Sequence, residues 1–499
     1  VTGESPERPA RVAIIGSGFG GLGAAIRLRQ GGIDDLVILE RAGDVGGTWR
    51  DNTYPGCACD VESHLYSLSF ALEPGWTSRF SRQPEIWRYL QRCAREFDLL
   101  PLIRFHHEVR SAEWDASASA GPPGWRIETT RGTVRAQILV IATGPLSAPA
   151  VPDLTGLERF EGRAFHSAQW DHGYDITGRR VAVVGTGASA VQFIPEIQKQ
   201  VSRLVVFQRT PPWVIPRPDA PIPEWRRRLY ARAPLVQRAV RLVIYLYREA
   251  WILVFRHPAV MARLQRLATR FLAASVDDPG LREKLTPRYA MGCKRILLSN
   301  DYYPALTRPN VEVVTERIEE VRAQSIVTAD GVERPVDAIV FATGFRVTDP
   351  PIAERIRGRG GRTLRDAWEG SPKAYLGTTV AGFPNLFLLL GPNTGLGHNS
   401  VVYMTEAQID HLVAALRYMR RHRLDAIEPV GAAQQTFVAG VDRRMRGTVW
   451  TAGGCKSWYL DRTGRNSTLW PDSSWSYYRR ASAFDARAYA ETPAAAHVG

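Results

Sequence analysis

Two glycine-rich turns are the parts of this chain best suited to chemistry. Gly16-Ser17-Gly18-Phe19-Gly20-Gly21 directly follows the apolar run Val12-Ala13-Ile14-Ile15. Gly185-Thr186-Gly187-Ala188-Ser189-Ala190 directly follows Val181-Ala182-Val183-Val184. Each reads as a strand, a tight turn and a helix start. That arrangement lets backbone N–H groups approach a pyrophosphate at the positive end of a helix. One such turn is weak evidence. Two, well separated and both in strand–turn–helix context, point to two dinucleotide sites. The candidate contacts are Gly16, Gly18 and Gly21 in the first turn, and Gly185, Gly187 and Ser189 in the second.

The residue closing each unit tells the two sites apart. Counting 24 residues from Gly16 reaches Glu40, at the end of Leu36-Val37-Ile38-Leu39. Counting 24 residues from Gly185 reaches Arg209, followed by Thr210, at the end of Leu204-Val205-Val206-Phe207-Gln208. A carboxylate there accepts hydrogen bonds from ribose hydroxyls, whereas a guanidinium suits a 2′-phosphate. The first site therefore reads as FAD, and the second as NADPH, with Arg209 and Thr210 at its phosphate.

Holding two such sites calls for an α/β fold: two Rossmann-like dinucleotide-binding domains and, from the composition of residues 224–270, a helical insertion. Residues 126–130 and 133–141 read as strands, the second ending in Ala142-Thr143-Gly144. Residues 338–341 form a parallel case, ending in Ala342-Thr343-Gly344. Each is expected to return and close one nucleotide fold. The proline-rich residues 145–152 are a crossing between the two. The chain is expected to re-enter the first unit after about residue 346, with a strand over 385–390, the loop Gly391-Pro392-Asn393-Thr394-Gly395, and a helix over 400–420. The start of that helix would face the flavin. The expected division is 1–150 with 346–499 for FAD, 151–215 with 292–345 for NADPH, and 216–291 as the insertion.

A chain of 499 residues suits about three domain-sized units. Its formal charge of +14 is concentrated: residues 224–270 hold eleven arginines against Glu224 and Glu249. The apolar runs there are broken by Arg248 and Glu249, short of the roughly 20 residues a membrane span needs. The segment reads as a helical insertion near the substrate entrance, with weak contact to an anionic membrane surface as a second reading. No nucleic-acid motif accompanies the basic charge, so nucleic acid is not an expected partner. The five cysteines, Cys57, Cys59, Cys93, Cys293 and Cys455, lack metal-ligand spacing. They fit a reduced, cytoplasmic protein. Residues 1–10 are polar and show no secretory leader.

Two further stretches narrow the chemistry. Phe160-Glu161-Gly162-Arg163-Ala164-Phe165-His166-Ser167-Ala168-Gln169-Trp170-Asp171 resembles the FxGxxxHxxxW(P/D) fingerprint of type I Baeyer–Villiger monooxygenases. Gly46-Gly47-Thr48-Trp49-Arg50-Asp51-Asn52-Thr53-Tyr54-Pro55-Gly56-Cys57-Ala58-Cys59-Asp60 resembles that family's second fingerprint without departure. With both glycine turns, the resemblance covers most of the chain. N-oxygenating relatives carry Phe or Tyr in place of the Trp and lack the following Pro or Asp. N- or S-oxygenation is therefore the alternative reading, and a nucleotide-binding redox sensor or uncoupled oxidase a third.

The resemblance implies a reaction in which NADPH reduces FAD, O2 adds to give a C4a-peroxyflavin, and one oxygen is inserted beside a ketone carbonyl. An ester or lactone results, with sulfides as secondary substrates. It also implies roles for side chains. Arg295, in Cys293-Lys294-Arg295, resembles the active-site cation, and Asp60 the carboxylate that pairs with it. Lys294 resembles a second contact to the 2′-phosphate. Trp49 and Tyr54 fall on the flavin side as packing, and His166 in a linker that couples domain movement to NADP. Gly391-Pro392-Asn393-Thr394-Gly395-Leu396-Gly397-His398-Asn399-Ser400 departs from versions of this loop in other members, so the ketone is not inferred from them. The aromatic-rich tail is expected to pack on the FAD domain.

Overall fold

A computed structural model of the chain describes residues 10–117 and 122–494; the polar residues 1–9 lie outside the described residues. The first apolar run becomes strand β1 (Ala10–Ile15), and the glycine turn leads into helix α1 (Phe19–Gln30). Strand β2 (Leu36–Leu39) and the returning strand β3 (Gly132–Ile141) lie parallel to β1 on either side. All four residues of β2 are buried, as a strand covered on both faces requires. Strands over Val109–Asp115 and Gly124–Thr129 extend the sheet past β3 in antiparallel fashion.

The second glycine turn repeats the plan. Strand β4 (Arg180–Val184), helix α2 (Ala188–Ile197) and strand β5 (Arg203–Phe207) follow in order, with β5 parallel to β4. The chain then leaves the sheet through α3 (Glu224–Arg232), α4 (Pro234–Arg256), α5 (Pro258–Ser275) and α6 (Pro279–Leu285). A short parallel pairing of Val214–Ile215 with Leu297–Leu298 closes the neck of this excursion. Strand β6 (Ala338–Phe341) then returns beside β4. The five-stranded sheet runs Val311–Val314, β5, β4, β6, Arg163–His166, all parallel.

The chain re-enters the first sheet at Ile356–Arg357, parallel to the Val109–Asp115 strand, and then adds a strand of only three residues, Leu386–Leu388, parallel to β3. Helix α7 (Val401–His422) follows and packs on α1. Its start is capped from within: the Ser400 hydroxyl accepts the Val402 N–H at 3.3 Å. The tail does not pack uniformly as core. Trp470 and Tyr477 are buried with Leu396 and Met404, while Trp458 and Trp475 face solvent. Among the described residues no helix is long and apolar enough to cross a membrane.

Candidate active site

The two glycine turns are built alike. The Gly16 N–H donates to Leu39 O at 2.9 Å and the Ala142 N–H to Ile15 O at 2.9 Å; Gly185 donates to Phe207 O at 3.0 Å and Ala342 to Val184 O at 2.8 Å. Gly16 and Gly185 sit at φ +101° and +103°, where a side chain is strained. A Cβ on Gly16 would lie 2.8 Å from Ala142 O, and one on Gly185 2.6 Å from Ala342 O. The Ala-Thr-Gly strand ends therefore force glycine at both turns. A Cβ on Gly21 would lie 1.9 Å from Gly16 O. Gly18 and Gly187 precede α1 and α2, and neither helix has a side-chain cap. Both helix starts keep N–H donors for an anion, and both cradles fit a dinucleotide pyrophosphate.

Beyond the turns the sites diverge. Glu40 is buried, and its Oε2 accepts both the Ser17 N–H (3.0 Å) and the Ser17 hydroxyl (2.7 Å). Its Oε1 accepts the Ala42 N–H at 2.9 Å and lies 2.9 Å from Arg50 Nη1. Burial pulls the Glu40 carboxyl up, but Arg50 and these hydrogen bonds outweigh it and hold it below the usual range. Arg209 is exposed and forms no ion pair among the described residues. Lys294 is only partly buried, with its Nζ 5.0 Å from the Tyr289 ring centroid. Burial and the charge of Arg209 both depress the Lys294 ammonium. Two like charges thus act on each other, and neither is ion-paired among the described residues, the electrostatic setting of a phosphate site. Thr210 stands at the same strand end, its carbonyl accepting from the Thr186 hydroxyl at 3.4 Å.

Asp60 and Arg295, 235 residues apart, form a two-pronged pair: Arg295 Nε to Asp60 Oδ2 and Nη2 to Oδ1, both 2.6 Å. The Asp60 and Arg295 side chains remain 27% and 29% exposed, so the pair is not sealed in the core. The Asp60 charge raises the Arg295 guanidinium further. Burial raises the Asp60 carboxyl, yet Arg295 outweighs it and holds it low. The cation is therefore fixed across any working pH. Tyr459 from the tail is buried against Arg295.

Trp49 and Tyr54 are both buried. The Trp49 Nε1–H donates to Tyr66 Oη at 3.2 Å, and the Tyr54 hydroxyl to Gln192 Oε1 at 2.9 Å. Ser189 also lies against the Tyr54 hydroxyl, so it faces the first unit as well as its own turn. His166 is buried, with Nδ1 accepting the Ala168 N–H at 3.1 Å. Trp170 packs against Phe165 and Phe193, each at 5.3 Å between ring centroids.

Several participants carried no signal in the sequence. Gln192 on α2 holds both the N–H and the carbonyl of Ala58, at 3.3 and 2.9 Å, besides Tyr54, and so latches the two units together. Arg248 on α4 bonds Glu62 Oε2 at 2.7 Å and the Asp60 carbonyl at 3.1 Å, tying the insertion to the site. The expectation of five reduced cysteines is corrected. Cys293 and Cys455 are disulfide-bonded, joining the residue before Lys294 to the tail. Their pairing depends on the tail folding back over the insertion, where both meet a cluster that includes Phe255 and Trp450. Cys57 and Cys59 are free and buried. Burial pushes the Cys57 thiol up to about 12, unsuited to redox exchange near neutrality.

The family model for flavin-binding monooxygenase-like proteins matches residues 9–233. A Baeyer-Villiger monooxygenase of Streptomyces coelicolor is 51% identical over 499 residues, covering 99% of this chain and 95% of that protein. One from Pseudomonas aeruginosa is 50% identical over 494 residues, covering 98% and 93%. Among solved structures, an oxidized steroid monooxygenase bound to NADP matches with a TM-score of 0.86 at 32% identity, covering 98% of this chain and 100% of that one. A cyclohexanone monooxygenase from a Rhodococcus species bound to NADP+ matches with a TM-score of 0.86 at 31% identity and the same coverage.

Proposed function

The chain belongs to the Baeyer–Villiger monooxygenases, flavoenzymes that use FAD, NADPH and O2 to convert ketones to esters or lactones, and from that premise we propose its substrate and the parts its residues play. The substrate is a hydrophobic ketone, with sulfides as secondary substrates. One oxygen atom ends in the ester and the other in water. When bound, FAD supplies the reduced flavin that activates O2, with NADPH as its reductant.

The observation that carries this reading is the partly exposed Asp60–Arg295 fork. Arg295 places a permanent positive charge where negative charge develops on the reacting oxygens, and its remaining N–H groups are free of Asp60. Asp60 acts through Arg295 by fixing the plane of the guanidinium. Gly16, Gly18 and Gly21 take the FAD pyrophosphate and Glu40 its ribose, with Trp49 and Tyr54 packing the flavin side. Gly185, Gly187 and Ser189 take the NADPH pyrophosphate, and Arg209, Thr210 and Lys294 the 2′-phosphate. The two sheets and the helical excursion support a division of the chain into residues 1–150 with 346–499 for FAD, 151–215 with 292–345 for NADPH, and 216–291 as the insertion. The need for NADPH supports a cytoplasmic location. The basic, apolar surface of residues 224–270 supports contact with a membrane.

The test is product analysis under isotopically labelled O2, with methyl ketones of increasing length, a thioether and an amine as separate substrates. Ester carrying one labelled oxygen, with yield rising with chain length, is expected. N-oxide or hydroxylamine from the amine with no ester from any ketone would overturn the reading.

A further inference from the structure

Residues 225–276 contain a single acid, Glu249, and it points inward to Asn399 (2.8 Å) and Ser474 (2.6 Å). The outward surface of the insertion therefore carries no negative charge over this stretch. Of the eleven arginines in this stretch, Arg228, Arg241, Arg248 and Arg256 are paired with Glu224, Glu406, Glu62 and Asp472. Arg227 is half-buried and Arg226, Arg232, Arg238, Arg263, Arg266 and Arg270 are exposed, and none of these seven forms an ion pair among the described residues.

Between these arginines runs an apolar stripe. Helix α4 turns Leu235, Leu242, Val243, Leu246, Tyr247 and Leu253 outward, each between 53% and 74% exposed. Their spacing is that of one helix face, and the outward positions from Leu242 to Leu253 carry no charge. From Leu235 to Leu253 the stripe extends about 27 Å at the helical rise, so it is larger than the scattered apolar residues of an ordinary surface. The helix cannot span a bilayer. A long apolar face flanked by arginines is instead the pattern of a helix lying in the plane of an anionic interface.

Beside the stripe lies a groove of about 500 Å³ whose lining includes Arg238, Leu242, Tyr245, Tyr403, Trp475 and Tyr478. Leu242 and Arg238 belong to both groove and stripe. One turn further along α4, Arg248 bonds the Asp60 carbonyl.

We propose that α3, α4 and α5 form a docking surface for an anionic lipid bilayer, with the α4 stripe at the acyl-chain boundary, the flanking arginines on lipid phosphates and the aromatic groove opening at that depth. This rests on the membrane contact and hydrophobic ketone of the proposed function, and names how the substrate is met: from the lipid phase. A second copy of the chain suits the surface poorly, since two unneutralised arginine fields would face each other. Nucleic acid would leave the apolar stripe uncovered.

The experiment is flotation of the holoenzyme with vesicles of phosphatidylcholine, with and without 30% phosphatidylglycerol (about a third anionic lipid, enough for a clear surface potential), at low and high salt. Binding to the anionic vesicles at least ten-fold tighter than to the neutral ones is expected. The variant V243S/L246S/L253S, whose positions lie on the stripe and outside the groove lining, should lose at least ten-fold in binding while turning over a water-soluble ketone unchanged. Flotation is read on the protein itself, so it stands apart from whether ketones are substrates. Three results would each overturn the proposal: no binding to anionic vesicles, equal binding by the serine variant, or a stable dimer in light scattering that the serine variant dissociates.

Discussion

The two nucleotide units share one backbone plan and differ in how they handle charge. In the first, Glu40 is sealed in place by Ser17, Ala42 and Arg50 before any ligand arrives. In the second, the charge of Arg209 acts on Lys294, and neither forms an ion pair among the described residues. A site whose polar groups are satisfied internally is rigid and loses little entropy on binding. A site with two unneutralised cations gains most when an anion enters. The first suits a resident cofactor and the second one that comes and goes. On the proposed assignment of these residues, the same turn would serve two lifetimes of binding, set by side chains at the strand end.

The largest expected effect separates the two turns directly. Gly16→Ala should yield protein without bound flavin, because the new Cβ meets Ala142 O. Gly185→Ala should retain flavin, read by its visible absorbance, yet lose reduction by NADPH. Equal flavin loss in both would break the comparison.

Next come the cations. Arg209→Ala and Lys294→Ala should each raise KM for NADPH by about 10- to 100-fold, the worth of a charge-assisted contact of roughly 1.5–3 kcal/mol. KM for NADH should hardly move. A parallel rise for NADH would remove these residues from the 2′-phosphate.

Acid should weaken the first unit. Burial and the charge of Arg241 push His64 down to about 4, and burial pushes His411 to about 4. Unfolded histidine titrates near 6.5, so the unfolded chain takes up these protons first. Stability is full above about pH 6.5 and falls toward pH 4, by up to about 3 kcal/mol for each histidine. Glu40 and Asp60 are held low, so their contribution persists until pH falls below about 4. Urea unfolding followed by flavin fluorescence at pH 7, 6 and 5 should show the decline, and His411→Gln should flatten it. A smaller effect is expected at the latch: Gln192→Ala should cost about 1–3 kcal/mol in the same assay.

The glycine turns, Glu40 and Arg209 were legible in the sequence because a tight turn and a strand end are local events with fixed spacing. The returning strands were legible for the same reason, through their shared Ala-Thr-Gly ends. Asp60 and Arg295 were reached only through the family resemblance, since no local pattern joins residues 235 positions apart. Gln192, Arg248 and the Cys293–Cys455 bond were not legible at all. Each depends on how the second unit, the insertion and the tail pack against the first. The arginine excess of the insertion was visible from composition, but which arginines pair inward and which stay free is decided by packing on Glu62, Glu406 and Asp472.

The most direct test of the account is Arg295→Ala, with Arg295→Lys as a control for folding, read in two halves. Bleaching of the flavin by NADPH reports the reductive half, and ester yield from a ketone reports the oxygenating half. Arg295→Ala should keep reduction within a few-fold of the parent, lower ester formation by about 100-fold or more, and divert NADPH consumption to hydrogen peroxide. Normal ester yield would contradict the placement of Arg295 beside the reacting oxygens.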